Sequence, residues 1–136
     1  MVCASGNLGL VYFGIVEHRM TLDEIDDAFP DLMAELTAHE GIGFALVRSA
    51  DGHALAIGAD GHHDLTSGSV TGADPIAPYG PDALDQLRHL DGIDHVGDLV
   101  LMSRIDPGTD EVAAFEELIG SHGGMGGWQT QPCLVY

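Results

Sequence analysis

The sequence predicts one α/β domain over residues 1–136, a mixed β-sheet with flanking helices, and three observations lead to it. Strand-length apolar runs recur near residues 8–13, 42–47 and 98–103, each continuous enough for burial on both faces. Between them lie segments whose apolar residues follow helical spacing behind recognisable start signals. The length of 136 residues suits one domain, and 45% hydrophobic residues with only 6% aromatics leave Leu, Val, Ile and Ala to fill its core.

In chain order, Leu8-Gly9-Leu10-Val11-Tyr12-Phe13 reads as a buried strand. Its position almost at Met1 suggests that further chain normally precedes it. Thr21-Leu22-Asp23-Glu24 reads as a capping box, with the Thr21 hydroxyl accepting from a first-turn amide and Glu24 reaching back. Leu22, Ile25, Phe29, Leu32 and Leu36 continue with helical spacing, but Pro30 predicts a break and a second helix opening there, ended by Gly41. Residues 42–47 form a second strand, and Asp51-Gly52 signals a hairpin into a strand over 53–57. Residues 60–81 are dense in Gly, Asp, Ser, Thr and Pro, which predicts turns and one short strand at 69–71. Pro81 predicts a helix through Leu84, Leu87 and Leu90 that stops at Asp91-Gly92. Residues 98–103 make a third core strand, and Asp106-Pro107-Gly108-Thr109 a turn. Residues 112–119 fit helix or strand; the turn before them favours a returning strand.

Charge narrows the function classes. Against 22 Asp and Glu stand 4 arginines and no lysine, a net charge of -18. Binding to a nucleic-acid backbone or to an anionic membrane surface needs the opposite sign. Screening of this self-repulsion by salt predicts a melting temperature that rises from dilute buffer to molar KCl, if the acidity is an adaptation to salinity rather than base-composition drift. No apolar run reaches the roughly 18 residues of a membrane span. The first seven residues lack the basic and long apolar regions of a secretory signal, so a cytoplasmic location is expected over export. Cys3 and Cys133 are read as small buried hydrophobes in a reducing compartment.

The most specific stretch is Gly120-Ser121-His122-Gly123-Gly124-Met125-Gly126-Gly127, in which five of eight residues are glycine. Glycines around a histidine let a ligand or metal approach bare backbone; a flexible turn that includes a histidine is the plainer alternative. Phe115-Glu116-Glu117-Leu118-Ile119-Gly120-Ser121-His122-Gly123-Gly124, with Gly127 and Gln129-Thr130, resembles the terminal motif of the alkaline phosphatase superfamily. The nearest branch is the actinobacterial type related to type I phosphodiesterases and nucleotide pyrophosphatases. Residues 4–13, 41–49, 72–75 and 98–100 are similar to the same branch, in the same order. The resemblance implies the C-terminal part of that fold and metal-assisted hydrolysis of a phosphate-ester substrate at two divalent cations, usually zinc. It gives His122 the role of one metal ligand. The nucleophile and the remaining ligands, including an Asp-His-Gly motif, belong to the family's earlier half and have no counterpart in this chain. The isolated chain is therefore expected to be inactive.

Other candidates weigh less. Asp60-Gly61-His62-His63-Asp64 has metal-binding composition, but neighbouring histidines diverge on most backbones, and a solvated loop is the better expectation. His89, Asp91, Asp94 and His95 gather at a helix end, where structural contacts are expected; His18 and His39 read as surface residues. Ser5-Gly6-Asn7 places polar groups near a site or merely opens a strand, and a Ser121-His122 nucleophile pair lacks the geometry that adjacent residues seldom reach. The competing functional class is a free-standing, non-catalytic binding or assembly module derived from the same fold. A third is a structural partner for a separate N-terminal half. In either case the Leu8 to Phe13 strand is the expected edge for self-association or docking.

Overall fold

A computed structural model describes residues 1–117 and 123–130. Its centre is a seven-stranded sheet: β1 (Val2–Ser5), β2 (Leu8–Val11), β3 (Ile42–Arg48), β4 (Ala54–Ile57), β5 (Gly61–Asp64), β6 (Ser69–Gly72) and β7 (Leu99–Ser103). The spatial order is β1-β2-β7-β3-β4-β5-β6. All six ladders are antiparallel, so the expected mixed sheet is corrected to an antiparallel one. The tight connections β1–β2, β3–β4, β4–β5 and β5–β6 impose that direction, and β7 enters between β2 and β3 antiparallel to both.

The α/β expectation holds. Helices α1 (Leu22–Ala28), α2 (Leu32–Ala38) and α3 (Ala83–Asp91) cover the sheet. Side-chain alternation along the central strands makes two cores. Phe44 and Leu46 of β3 and Val100 and Met102 of β7 join Leu87 of α3, Tyr79 and Met125 on one face. Ala45, Val47 and Leu99 meet Ile25 of α1 and Met33 of α2 on the other. This explains the continuous apolar runs: Phe44 through Val47 have no exposed surface, because both faces are covered.

The capping box forms as expected. The Thr21 hydroxyl accepts from the Glu24 amide at 3.4 Å, and the Thr21 amide donates to the Glu24 carboxylate at 2.8 Å. Pro30 does not open α2. The chain breaks around it with Asp31 in the left-handed region at φ 72°, and the helix restarts at Leu32. Nor is Gly41 the cap: α2 closes at His39, and the Gly41 carbonyl instead accepts from the Arg104 amide at 3.0 Å. Gly52, at φ 84°, makes the expected hairpin turn. Ala83 begins α3, two residues after Pro81, and Gly92 ends it.

Four further expectations fail. β1 was not foreseen, and it covers the edge of β2 that was read as free. β2, Leu8–Val11, is paired on both sides, with β1 and with β7, so the outer edge of the sheet lies at β1 instead. Cys3, on that strand, is exposed rather than buried; Cys133 lies outside the described residues. The stretch Gly61–Asp64 is strand β5 rather than a loop, because Asp64 folds the next turn by accepting from the Thr66 amide at 2.8 Å and the Ser67 amide at 3.1 Å. Beyond the Asp106 turn, the described part of the expected returning strand over 112–119 is limited to Glu111–Val112 (β9), paired with Ile105–Asp106 (β8); residues 118 and 119 lie outside the described residues. No helix among the described residues is long and apolar enough to cross a membrane.

Candidate functional site: a glycine loop clamped by Asn7

Residues 113–117 and 123–130 reach back to the turn between β1 and β2. Gly6 sits at φ 58°, which turns the chain so that the side chain of Asn7 points inward, 1% exposed. Its carboxamide works as a two-sided clamp. Nδ2 donates to the Met125 carbonyl at 2.8 Å, and Oδ1 accepts from the Met125 amide at 3.1 Å and from Gln129 Nε2 at 2.8 Å. An asparagine suits this role because one planar group offers both donors and acceptors. Only a side chain with both can satisfy the amide and carbonyl of one residue.

Residues 113–117 run alongside as a second tie. The Phe115 amide donates to the Gly6 carbonyl at 2.8 Å, the Gly6 amide donates to Glu116 Oε1 at 2.6 Å, and Ser103 Oγ donates to the Ala113 carbonyl at 2.6 Å. Gly123, Gly124, Gly126 and Gly127 all have positive φ, between 64° and 114°. Space matters as much as dihedral angle here. A side chain at Gly123 would press on the Ser5 carbonyl and hydroxyl, and one at Gly124 would overlap the Asn7 carboxamide. Gly123 and Gly124 therefore serve a close approach of the loop to Ser5 and Asn7, and Gly126 and Gly127 to Ile105, Tyr79 and Asp110.

His122, the residue singled out as a metal ligand, lies outside the described residues, as does Ser121. Its neighbour Gly123 is held against Ser5. Among the described residues, no group of three or more His, Cys, Asp and Glu is arranged to hold a metal ion. A structural or catalytic zinc takes three or four protein ligands. The described part of this chain does not assemble that set.

Several of the remaining candidates make structural contacts. Asp91, at the end of α3, accepts from Arg19 at 2.5 Å and from Arg48 at 3.0 Å. Burial pushes its carboxyl pKa up, but the hydrogen bonds from the two arginines outweigh this and leave it below the ordinary range. Asp98 anchors the adjoining segment by accepting from the Phe13 amide at 2.7 Å and the Met20 amide at 2.8 Å. His63, expected in a solvated loop, is buried and pairs through Nδ1 with Asp74 at 3.0 Å. His62 stands on the opposite face of β5, so the two histidines diverge as their adjacency predicts. His18 is exposed and pairs with Glu24, and His39 is exposed at the end of α2.

His53 Nδ1 lies 2.8 Å from Asp64 Oδ2, which also accepts from Ser67 Oγ at 2.6 Å. The carboxylate stands between hydroxyl and imidazole, the reverse of the order that nucleophile activation requires. The Ser67 hydroxyl, aided by His53 and two backbone amides, holds the Asp64 carboxyl well below the usual carboxylate range. A depressed carboxyl stabilises the fold above its unfolded pKa, and that contribution is lost as pH falls through the folded value. Asp91 acts in the same sense. Stability is therefore expected to hold from pH 7 to 5 and to fall below about pH 4, the ordinary carboxylate range. Urea midpoints measured across this span check it, and Asp64→Asn should flatten the acid limb. The hydrogen bond to Asp64, with Asp51 nearby, raises the His53 pKa, a contribution of opposite sign that is present at low pH and fades as pH rises through the raised value.

Set against protein-family models, curated proteins and solved structures, the chain has no match.

Proposed function

We propose that this chain is the C-terminal part of a metal-dependent phosphate-ester hydrolase, to which it contributes part of the sheet and one metal ligand, His122. The observation that supports the reading is the Asn7 clamp. The two stretches that most resemble the alkaline phosphatase superfamily, residues 4–13 and 115–130, are bound to each other by the side chain of Asn7 and the backbone of Gly6. The chain is held at Gly123 to Met125 against Ser5 and Asn7, and a metal site built on an ordered segment loses less to ordering when the ion binds. A bound divalent cation would supply Lewis-acid polarisation of the phosphoryl group. The chain's own part is to hold the loop: Asn7 fixes Met125, Ser5 meets Gly123, and Gln129 closes the clamp from the far side.

The other ligands must come from elsewhere, so the working unit is larger than this chain. The test is to immunopurify the native product from source cells and measure its mass, its zinc content and its hydrolysis of bis(p-nitrophenyl) phosphate. A species well above 14.3 kDa, carrying zinc and active, with both lost on His122→Ala, is the expected result. A 14.3 kDa species without metal or activity would overturn it. That second outcome would favour the free-standing module. One observation speaks for that reading: the chain builds a covered hydrophobic core on both faces of its own sheet.

A further inference from the structure

We infer that β1 is an interface between two copies of this chain, whose outer edges pair antiparallel about a two-fold axis at Cys3. The hydrogen-bond phase of β1 carries the inference. The Met1 amine donates to the Tyr12 carbonyl at 2.6 Å, and the Tyr12 amide donates to the Met1 carbonyl at 2.8 Å. Bonded and unbonded pairs alternate along an antiparallel ladder, so Cys3 and Ser5 also bond inward, to Leu10 and Leu8. Val2 and Ala4 are left with their amides and carbonyls facing outward, where no strand lies opposite among the described residues. Val2 is 69% exposed, and Cys3 and Ala4 are exposed with it.

Such an edge is its own complement. With the axis at Cys3, Val2 of each copy faces Ala4 of the other, and every outward amide and carbonyl of these residues finds a partner. An axis at Val2 leaves Ala4 unpaired. An axis at Ala4 sets Val2 against Gly6, whose amide and carbonyl are already bonded to Glu116 and Phe115. A foreign strand would require no such symmetry. Charge points to the same occupant. Edge strands are commonly kept apart by charged side chains, yet the first charged side chain here is Glu17, in a chain with 22 acidic residues. β1 and β2 therefore carry no side chain that repels a second copy. The opposite edge, β6, ends at Gly72 with φ 73° and offers a shorter extended run.

The pairing does not depend on the hydrolase reading. It is tested by sedimentation velocity of the whole chain under reducing conditions, in about 0.5 M KCl to screen its charge. A reversible monomer–dimer equilibrium with a dissociation constant on the order of 100 µM is expected, since an edge pairing buries less than a standard interface. Ala4→Pro removes only an outward amide, so it should keep the circular dichroism of the folded chain and weaken the dimer roughly tenfold or more. Cys3 reads the register. Facing residues of a non-hydrogen-bonded pair have Cα atoms about 4.5 Å apart, inside the disulfide range of about 4.4 to 6.8 Å. In a Cys133→Ser background, oxidised glutathione should link the copies through Cys3, the facing thiols being oxidised to a disulfide as the glutathione disulfide is reduced to thiols. With the thiol moved one residue along, by Cys3→Ser with Ala4→Cys, linking should slow roughly tenfold. The inference is overturned if the chain stays monomeric up to about 1 mM, if Ala4→Pro associates as tightly as the parent chain, or if the Ala4→Cys thiol links the copies as fast as Cys3 does.

Discussion

Asp91→Ala is expected to destabilise the chain by about 3 kcal/mol, lowering its urea midpoint by roughly 1 to 3 M. Arg19 and Asp91 side chains are only 12% and 14% exposed, so removal of the carboxylate strands a guanidinium in a site already short of partners. Arg19 Nε and Nη2 are buried and form no hydrogen bond among the described residues, and Arg19 would keep its charge after losing Asp91. The estimate sits at the lower end of the range for broken buried pairs because Arg48, 40% exposed, can turn to water. Arg19→Met placed on the Asp91→Ala chain should restore part of the loss, since it removes the stranded charge. A double mutant less stable than Asp91→Ala alone would show that the cost arises from packing.

Asn7→Ala should cost about 1 to 3 kcal/mol, because it leaves the buried amide of Met125 without its partner, while the Met125 carbonyl keeps only the bond from Gln129 Nε2 at 3.2 Å. The loss should be local as well as global. Limited proteolysis is expected to cut within residues 123–130 before any other segment, whereas the parent chain resists there. Gly124→Ala attacks the same contact from the loop side, by overlap with Asn7 and at φ 78°. The two substitutions together should therefore cost less than the sum of their separate effects. Strict additivity would mean that the clamp is not one unit.

The elements that could be read from the sequence are those with local signals. The capping box at Thr21, the Asp51-Gly52 hairpin and the Asp106 turn depend on neighbours within a few residues, and each formed. Continuous burial of residues 44–47 was legible because a short apolar run bounded by glycine and a turn signal suits a strand covered on both faces. What failed was set by distant contacts. β5 consists of Gly, His, His and Asp, and no propensity marks it; its place comes from pairing between β4 and β6. β1 has a similarly weak pattern, and without it the edge of β2 looked free. At the candidate site, the glycine loop announced itself by composition. Asn7 was noticed only as a polar residue near a strand, because nothing in the sequence joins it to a residue 118 positions away.

The insertion of β7 between β2 and β3 also fixes an order of events during synthesis. Val11 pairs with Leu99, so the first hairpin leaves the ribosome long before its partner exists. At about 5 to 20 residues per second, it waits for roughly 5 to 20 seconds. The β3–β6 meander is complete by Gly72 and can assemble alone. From the completion of β3 until β7 emerges, β2 and β3 each present an unpaired edge to whatever is nearby. The last major step is a strand threading into a slot with a wall on either side, and a nascent chain stopped short of Ser103 would be left open and adhesive.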